Sequence, residues 1–293
     1  MTGTRRVGAL LVALVSGCAA NDVDAFAVHG RAGFRRIEPP QSQAEPAARP
    51  PRQEPGWIER TWGTVLADHG AFYDQGTMLG LGAGIGLAAL SANSQLDRDI
   101  YDDALAGWRT HELGEARNDV QDLGDGAYVL PVLATASLFG PALGSPAIGE
   151  WGERSLRGVL VGAPPMLALQ RLIGAGRPDD PANTTSSEWQ PFEHSNGVSG
   201  HAFIGSVPLL TVARMQDDPA IDVACYLGSM VVAAARLQGS KHYFSQVALG
   251  WWIGYLATGA VDDAERGIPV GDDVSVLPIL GADEVGFVVV HRL

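Results

Sequence analysis

The chain has 293 residues, of which 46% are hydrophobic, so it can bury a sizeable core. Its formal net charge of −13 argues against nucleic acid as a partner, because nucleic-acid binding needs a basic face. The 37 glycines and the aromatic share of only 7% favour helices that pack closely through small residues.

The N-terminal segment is typical of a secretory signal. Two arginines precede an apolar run over residues 7–15, which is too short to cross a membrane. The tetrad Val15-Ser16-Gly17-Cys18 then resembles the lipobox of bacterial lipoproteins, in which the cysteine is lipidated and begins the mature chain. We therefore predict a lipoprotein-type signal peptide over residues 1–17 and a lipidation site at Cys18. Ordinary secretion with an incidental cysteine is the alternative.

The rest of the chain divides into a tether, a helical domain and a tail. Residues 18–55 are rich in Ala, Pro and Gln, a composition that cannot form a core and predicts a disordered tether. Residues 56–265 are predicted to be an all-α domain, a bundle of about six apolar helices. Residues 266–293 form a C-terminal tail whose two β-rich runs predict a short β-hairpin.

The helical domain alternates uncharged and charged segments. An amphipathic helix is expected over residues 57–74, and the charged segment 97–125 is expected to face solvent. The remaining helices are expected in the apolar stretches 76–96, 126–149, 158–169, 202–213, 223–235 and 247–261. Several stretches are shorter than the roughly 20 residues that a membrane span needs, so a bundle in a bilayer and a bundle beside one are both compatible with the sequence.

Three short segments carry residue types that suit a phosphate group. Residues 170–178 end in Arg-Pro, residues 198–201 read Val-Ser-Gly-His, and residues 236–246 hold an arginine, a histidine and a glutamine at fixed spacing. Arginines offer planar forks of donors to phosphate oxygens, and a small-residue turn that opens a helix points free N–H groups at an anion. Histidines suit both attack on phosphorus and protonation of a leaving oxygen.

These segments resemble the signature of the type 2 phosphatidic acid phosphatase superfamily, which also contains bacterial nonspecific acid phosphatases and vanadium haloperoxidases. The family pattern is Lys, six residues and Arg-Pro, then Pro-Ser-Gly-His, then Ser-Arg, five residues, His, three residues and Asp. The resemblance covers roughly residues 125–262 and implies a six-helix bundle.

The resemblance also implies a role for each matching residue. His242 would be the nucleophile that forms a phosphohistidine, and His201 the general acid. The phosphate would be held by Arg177, Arg236, Ser199 and Gly200. Gln170 stands at the Lys position, and Gln246 stands at the Asp that orients the nucleophile. A glutamine can accept a hydrogen bond from the histidine Nδ1–H, but it cannot stabilise positive charge on the ring as a carboxylate does.

We therefore expect a metal-independent phosphatase, without a cofactor, that hydrolyses a phosphomonoester or a lipid (pyro)phosphate. It would be anchored to the membrane of a bacterial envelope, with its site on the extracytoplasmic side. The alternatives are a vanadium-dependent haloperoxidase and a non-catalytic envelope lipoprotein that keeps the fold. Trp189 and Phe192, in the polar loop over residues 179–196, are expected to contact the organic part of the substrate.

Overall fold

The computed structural model describes residues 57–108, 114–179, 186–268, 274–280 and 285–291. The helices are α1 Trp57–Phe72, α2 Gln75–Ala92, α3 Leu96–Asp99, α4 Gly114–Asp122, α5 Gly126–Phe139, α6 Pro146–Ile173, α7 Gly200–Met215, α8 Pro219–Ser229, α9 Val231–Gln238 and α10 Phe244–Glu265. A π-helical turn, Ile100–Ala104, follows α3 directly. The all-α prediction for the domain is confirmed. The predicted signal peptide, the lipidation site Cys18 and the predicted tether lie outside the described residues.

The tail contains the hairpin that its two β-rich runs indicated. Strands β1 Val274–Leu280 and β2 Val285–His291 pair antiparallel, with Val274 opposite His291 and Leu280 opposite Val285.

Capping residues set several helix boundaries that apolar patterning alone placed less well. The Asp125 side chain accepts the Ala127 N–H and begins α5, and the Asp218 side chain accepts the Ala220 N–H and begins α8. The expected helix 126–149 is therefore two helices, because the chain leaves α5 at Gly140 and α6 starts at Pro146. The expected stretch 223–235 is likewise divided at Met230, between α8 and α9.

Helix α10 is the centre of the bundle and packs against α1, α2, α6 and α7. Its glycines allow the close approach to α7, since a Cβ at Gly250 would overlap the Ser199 carbonyl and one at Gly254 would overlap the Ser206 hydroxyl. The fully buried side chains include Phe203, Leu210, Leu249, Ile253, Val161, Val198 and Val207. This packing brings the N-terminal end of α7 against the first turns of α10.

A buried ion network fixes the other end of the bundle. Arg157 of α6 donates from Nε and Nη2 to the two carboxylate oxygens of Asp68 in α1, at 2.7 and 2.6 Å. Arg157 also pairs with Glu265, the last residue of α10. Because α10 rises about 1.5 Å per residue, this network lies roughly 28 Å along the helix axis from Gln246.

Much of the outer surface is apolar. Large apolar side chains stand exposed on α2, α5, α6 and α8, including Leu79, Leu90, Val132, Leu138, Leu160, Leu167, Val223 and Leu227. Among the described residues, Gln75–Ala92 and Pro219–Gln238 are long and apolar enough to cross a membrane by length and composition, which is weak evidence for membrane association.

Candidate functional site

Three hydrogen bonds join the three predicted segments to one another. Gln170 Nε2 donates to the Val198 carbonyl at 3.0 Å, and the Ser199 N–H donates to the Gln246 carbonyl at 3.0 Å. In the third bond, Gln246 Nε2 donates to the Gly176 carbonyl at 2.8 Å, which connects the third segment to the first. The C-terminal end of α6 and the N-terminal ends of α7 and α10 therefore meet at one place.

Gln246 fixes the orientation of the His242 ring. Its Oε1 accepts from the Tyr243 N–H at 3.1 Å and lies 2.9 Å from His242 Nδ1. The side-chain amide cannot be reversed, because the Tyr243 N–H needs an acceptor and the Gly176 carbonyl needs a donor. His242 Nδ1 must then carry the proton, which leaves the Nε2 lone pair free for a reaction partner.

Burial keeps the imidazole of His242 neutral. The side chain is only 3% exposed, and burial, followed by the charges of Arg236, Arg177 and His201, lowers its pKa to about 3. The hydrogen bond that the ring donates to Gln246 acts in the opposite direction. Because both ring nitrogens are protonated only below that value, Nε2 keeps its lone pair at any ordinary pH.

His201 lies in the same electrostatic environment, at the second position of α7. Burial lowers its pKa first, then the charges of Arg236 and Arg177, while Asp125 and Asp122 act in the opposite direction. The charges of Arg177 and Arg236 lower the pKa of both histidines, and His201 lowers the pKa of His242. The four predicted groups therefore lie within electrostatic range of one another.

The two arginines carry unused donors. Arg236 is buried and donates from Nη1 to Gln121 Oε1 of α4 at 2.7 Å. Within the described part of the chain, the buried Nε atoms of Arg177 and Arg236 have no hydrogen-bond partner. An unpaired buried donor is costly, so an anion that accepts from these atoms would be bound strongly.

The beginning of α7 adds backbone donors. Ser199 caps the helix, because its Oγ accepts the Ala202 N–H at 3.3 Å, while its own N–H is taken by the Gln246 carbonyl. Phe203 makes the first intrahelical bond, to the Ser199 carbonyl. Gly200 and His201 therefore supply the first-turn N–H groups of α7 that lie ahead of these bonds, at the positive end of the helix dipole.

Gln170, at the family's Lys position, is half-buried and close to the same helix start. A Cβ placed on Gly200 would lie 3.5 Å from Gln170 Nε2. Arg171, its neighbour in sequence, is exposed. A further ion pair, between Lys241, which precedes His242, and Asp179, which follows Arg177-Pro178, also connects the first and third segments.

Sequence analysis did not identify two residues at the site, and the expectation that the charged segment faces solvent is wrong at one of them, Asp97. Gln121 supports Arg236 from 115 residues away, and Asp97 contacts Ser245 from 148 residues away. Asp97 belongs to the charged segment that was expected to face solvent, but its exposure is 0% because Ser91 and Ser245 surround its carboxylate. No local pattern distinguishes these two residues from solvated polar side chains.

The bundle brings two arginines within electrostatic range of two histidines, one of them in the first turn of α7, and this collection of donors suits an anion. Residues 158–262, which include all three segments, match the family model described as PAP2 superfamily. This match agrees with the resemblance that the three motifs indicated, and it supports a phosphatase-type function in general. No curated protein and no solved structure matches the chain significantly.

Proposed function

We propose that this protein is a phosphatase that hydrolyses a phosphomonoester or a lipid (pyro)phosphate through a phosphohistidine at His242. The observation that carries the proposal is the hydrogen bond from His242 Nδ1 to Gln246 Oε1, which leaves Nε2 as a free nucleophile. The neighbouring charges of Arg177 and Arg236 supply the attraction that a phosphate group needs.

The reaction would run in two steps. In the first, the His242 Nε2 lone pair attacks phosphorus, the bond from phosphorus to the ester oxygen breaks, and His201 gives its proton to the departing oxygen. In the second, the neutral His201 takes a proton from water as the water oxygen attacks phosphorus. The bond to Nε2 then breaks, inorganic phosphate leaves, and both histidines return to their starting states.

The chain's own residues would stabilise the charge that develops on the phosphoryl oxygens. Arg177 and Arg236 offer their guanidinium donors, and the first-turn N–H groups of α7 offer two more. The ring of phosphorylated His242 becomes positive, and Gln246 stabilises this charge through its Oε1 dipole alone. We therefore expect slower turnover than a carboxylate at position 246 would give.

We further propose that the protein acts at a membrane on the extracytoplasmic side of a bacterial envelope. The lipobox-like tetrad ending at Cys18 and the exposed apolar faces of α2, α5 and α8 support this location. The full-length protein should sediment with membranes, and Cys18→Ser should lose acyl labelling. Absence of acyl groups on the wild-type cysteine would contradict the anchor.

Phosphate release from a panel of soluble and lipid phosphoesters tests the activity. The wild type should release phosphate, and His242→Ala should abolish the release. His194→Gln is the matched control, because His194 is a half-buried histidine of the loop before α7 that lies outside the three segments. Equal activity of His242→Ala and wild type would overturn the proposed mechanism.

A further inference from the structure

The short segment that follows α2 contacts the beginning of α10 through a buried carboxylate. Asp97 Oδ1 accepts from Ser91 Oγ at 2.8 Å and from the Ser245 N–H at 3.0 Å, and its Oδ2 accepts from Ser245 Oγ at 2.6 Å. Ser245 is the second residue of α10, so Asp97 satisfies a first-turn N–H and places negative charge at the positive end of the helix. A residue remote in sequence therefore holds the first turn of α10.

The same segment contacts the other side of the nucleophile. Tyr101, in the π-helical turn, donates from its hydroxyl to Ser240 Oγ at 2.9 Å, and its ring meets the Tyr243 ring edge-on at 5.6 Å between centroids. Ser240 has a left-handed backbone, with φ of 56°, which a side-chain-bearing residue adopts only when its surroundings hold it there. Single π-turns are themselves frequent at functional sites.

These contacts enclose a very short stretch of chain. His242 lies in the linker of residues 239–243 between α9 and α10, with Ser240 two positions before it and Tyr243 directly after it. Asp97 bonds to the backbone N–H and the hydroxyl of Ser245, and Tyr101 contacts the side chains of Ser240 and Tyr243, so both hold residues that flank His242. Misplacement of a reacting group by about 1 Å can cost on the order of a hundredfold in rate.

We propose that the segment Leu96–Ala104 is a positioning element that holds the His242 nucleophile in line through Asp97 and Tyr101, an inference that rests on the proposed phosphohistidine mechanism. Asp97 fixes the first turn of α10, from which Gln246 orients the ring. Tyr101 fixes the linker that precedes the ring. Both are positioning residues, and neither takes part in binding the phosphate.

Four variants of the full-length protein test the proposal. Asp97→Ala removes three hydrogen bonds, Asp97→Asn keeps acceptor geometry on Oδ1, Tyr101→Phe removes only a hydroxyl, and Ser91→Ala is the matched control on the α2 side of the same carboxylate. We expect kcat to fall about tenfold in Asp97→Ala and at least threefold in Tyr101→Phe. KM and the inhibition constant of inorganic phosphate should stay within twofold, since the arginines are untouched. Asp97→Asn should recover most of the rate, and Ser91→Ala should stay within twofold of wild type.

Two results would contradict the positioning role of Asp97 and Tyr101. Unchanged kcat in Tyr101→Phe and Asp97→Ala, assayed below their melting temperatures, would overturn the proposal. Asp97→Asn as slow as Asp97→Ala would also overturn it, because the role assigned to Asp97 is made of hydrogen bonds that asparagine largely keeps.

A second readout separates this proposal from the proposed function. The ring ¹⁵N resonances of His242 report its tautomer without any reaction. The wild type should show a single Nδ1–H form, and Asp97→Ala should show a mixture as the first turn of α10 loosens. A wild type that releases no phosphate would defeat the proposed function, whereas an unchanged ring spectrum in Asp97→Ala would defeat the positioning role.

Discussion

Gln246 Oε1 lies 2.9 Å from His242 Nδ1 and thereby determines which nitrogen of the ring is free. The amide does three things at once, because it also accepts from the Tyr243 N–H and donates to the Gly176 carbonyl. A carboxylate could replace the two accepted bonds but not the donated one. Gln246 therefore connects the third segment to the first through a hydrogen bond that a carboxylate cannot donate.

Two acidic replacements at position 246 should consequently differ. Gln246→Glu keeps the length and sets a carboxylate oxygen against the Gly176 carbonyl, so it should lower the free energy of unfolding by about 1–3 kcal/mol. Gln246→Asp is shorter, avoids that repulsion and stabilises positive charge on the ring, so it should raise kcat, most of all together with Gln170→Lys. Denaturant titration and steady-state kinetics check the pair. Activity unchanged in a folded Gln246→Asp, Gln170→Lys double variant would count against a catalytic role for this site.

The pH dependence of kcat/KM should have its alkaline limb below pH 6.5. His201 must be protonated to act as an acid, and burial together with Arg236 and Arg177 lowers its pKa from that ordinary value. His242 must be neutral, which holds above about pH 3. Both histidines therefore have the required protonation state only on the acid side of neutrality.

The substitution Asp125→Asn should shift the alkaline limb of the kcat/KM profile. Asp125 raises the pKa of His201, so Asp125→Asn should shift the limb to lower pH while asparagine still caps α5. Asp74→Asn, at the cap of α2, is the matched control and should leave the profile unchanged. A limb that stays in place in Asp125→Asn would remove His201 as the group that titrates.

Stability should depend on His242 in the acid range. The pKa of His242 falls from 6.5 to about 3 on folding, so below pH 6.5 the unfolded chain takes up a proton that the folded chain refuses. Unfolding therefore becomes easier as pH drops from 6.5 to 3, by at most on the order of 5 kcal/mol. In His242→Gln this contribution should vanish, which denaturant titrations at several pH values would show as a flatter acid limb. An identical acid loss in both proteins would contradict the burial of a neutral ring.

Anion binding should stabilise the fold through the two arginines. Phosphate at a hundred times its dissociation constant stabilises a one-site protein by about 2.7 kcal/mol, seen as a rise in melting temperature. Arg177→Gln and Arg236→Gln should lose this rise, because their unpaired Nε donors are the expected contacts. Arg171→Gln, the exposed neighbour, should keep it. Loss of the rise in Arg171→Gln alone would place the anion elsewhere.

Alanine substitutions of the two aromatic residues in the loop before α7 should differ, because one should change stability and the other KM. Trp189 packs against the core, so Trp189→Ala should mainly cost stability, by about 2 kcal/mol or more, although its backbone N–H can still donate to Asn93 Oδ1. Phe192 is 72% exposed with φ of 68°, so Phe192→Ala should leave stability nearly unchanged and alter KM between esters with different organic groups. Identical KM values across such a series would remove Phe192 from substrate contact.

The sequence was most informative where chemistry and periodicity are local. Arg177, His201, Arg236 and His242 could be named because residue type and spacing within a few positions carry their signal, and the family match confirmed that resemblance. The apolar stretches indicated where most helices lie. Their ends were less predictable, since a break such as Met230 between α8 and α9 leaves the hydrophobic pattern intact.

The supporting residues could not be predicted in the same way. Asp97 and Gln121 act across 148 and 115 residues of chain, and only the packing of α3 and α4 against the core of the bundle brings them to the site. A buried carboxylate in a charged segment looks like any solvated one until its partners are known. Ser240 is similar, because its left-handed backbone follows from the tight linker and not from its residue type.

The central claim is that Nε2 of His242 becomes covalently phosphorylated during turnover. Rapid acid-free quenching after mixing with a ³²P-labelled phosphoester, followed by digestion and mapping, measures this directly. We predict an acid-labile, base-stable phosphate on the peptide that contains His242, absent in His242→Ala and retained in His194→Gln. Phosphate release by the wild type with no label on that peptide at any time point would contradict the account.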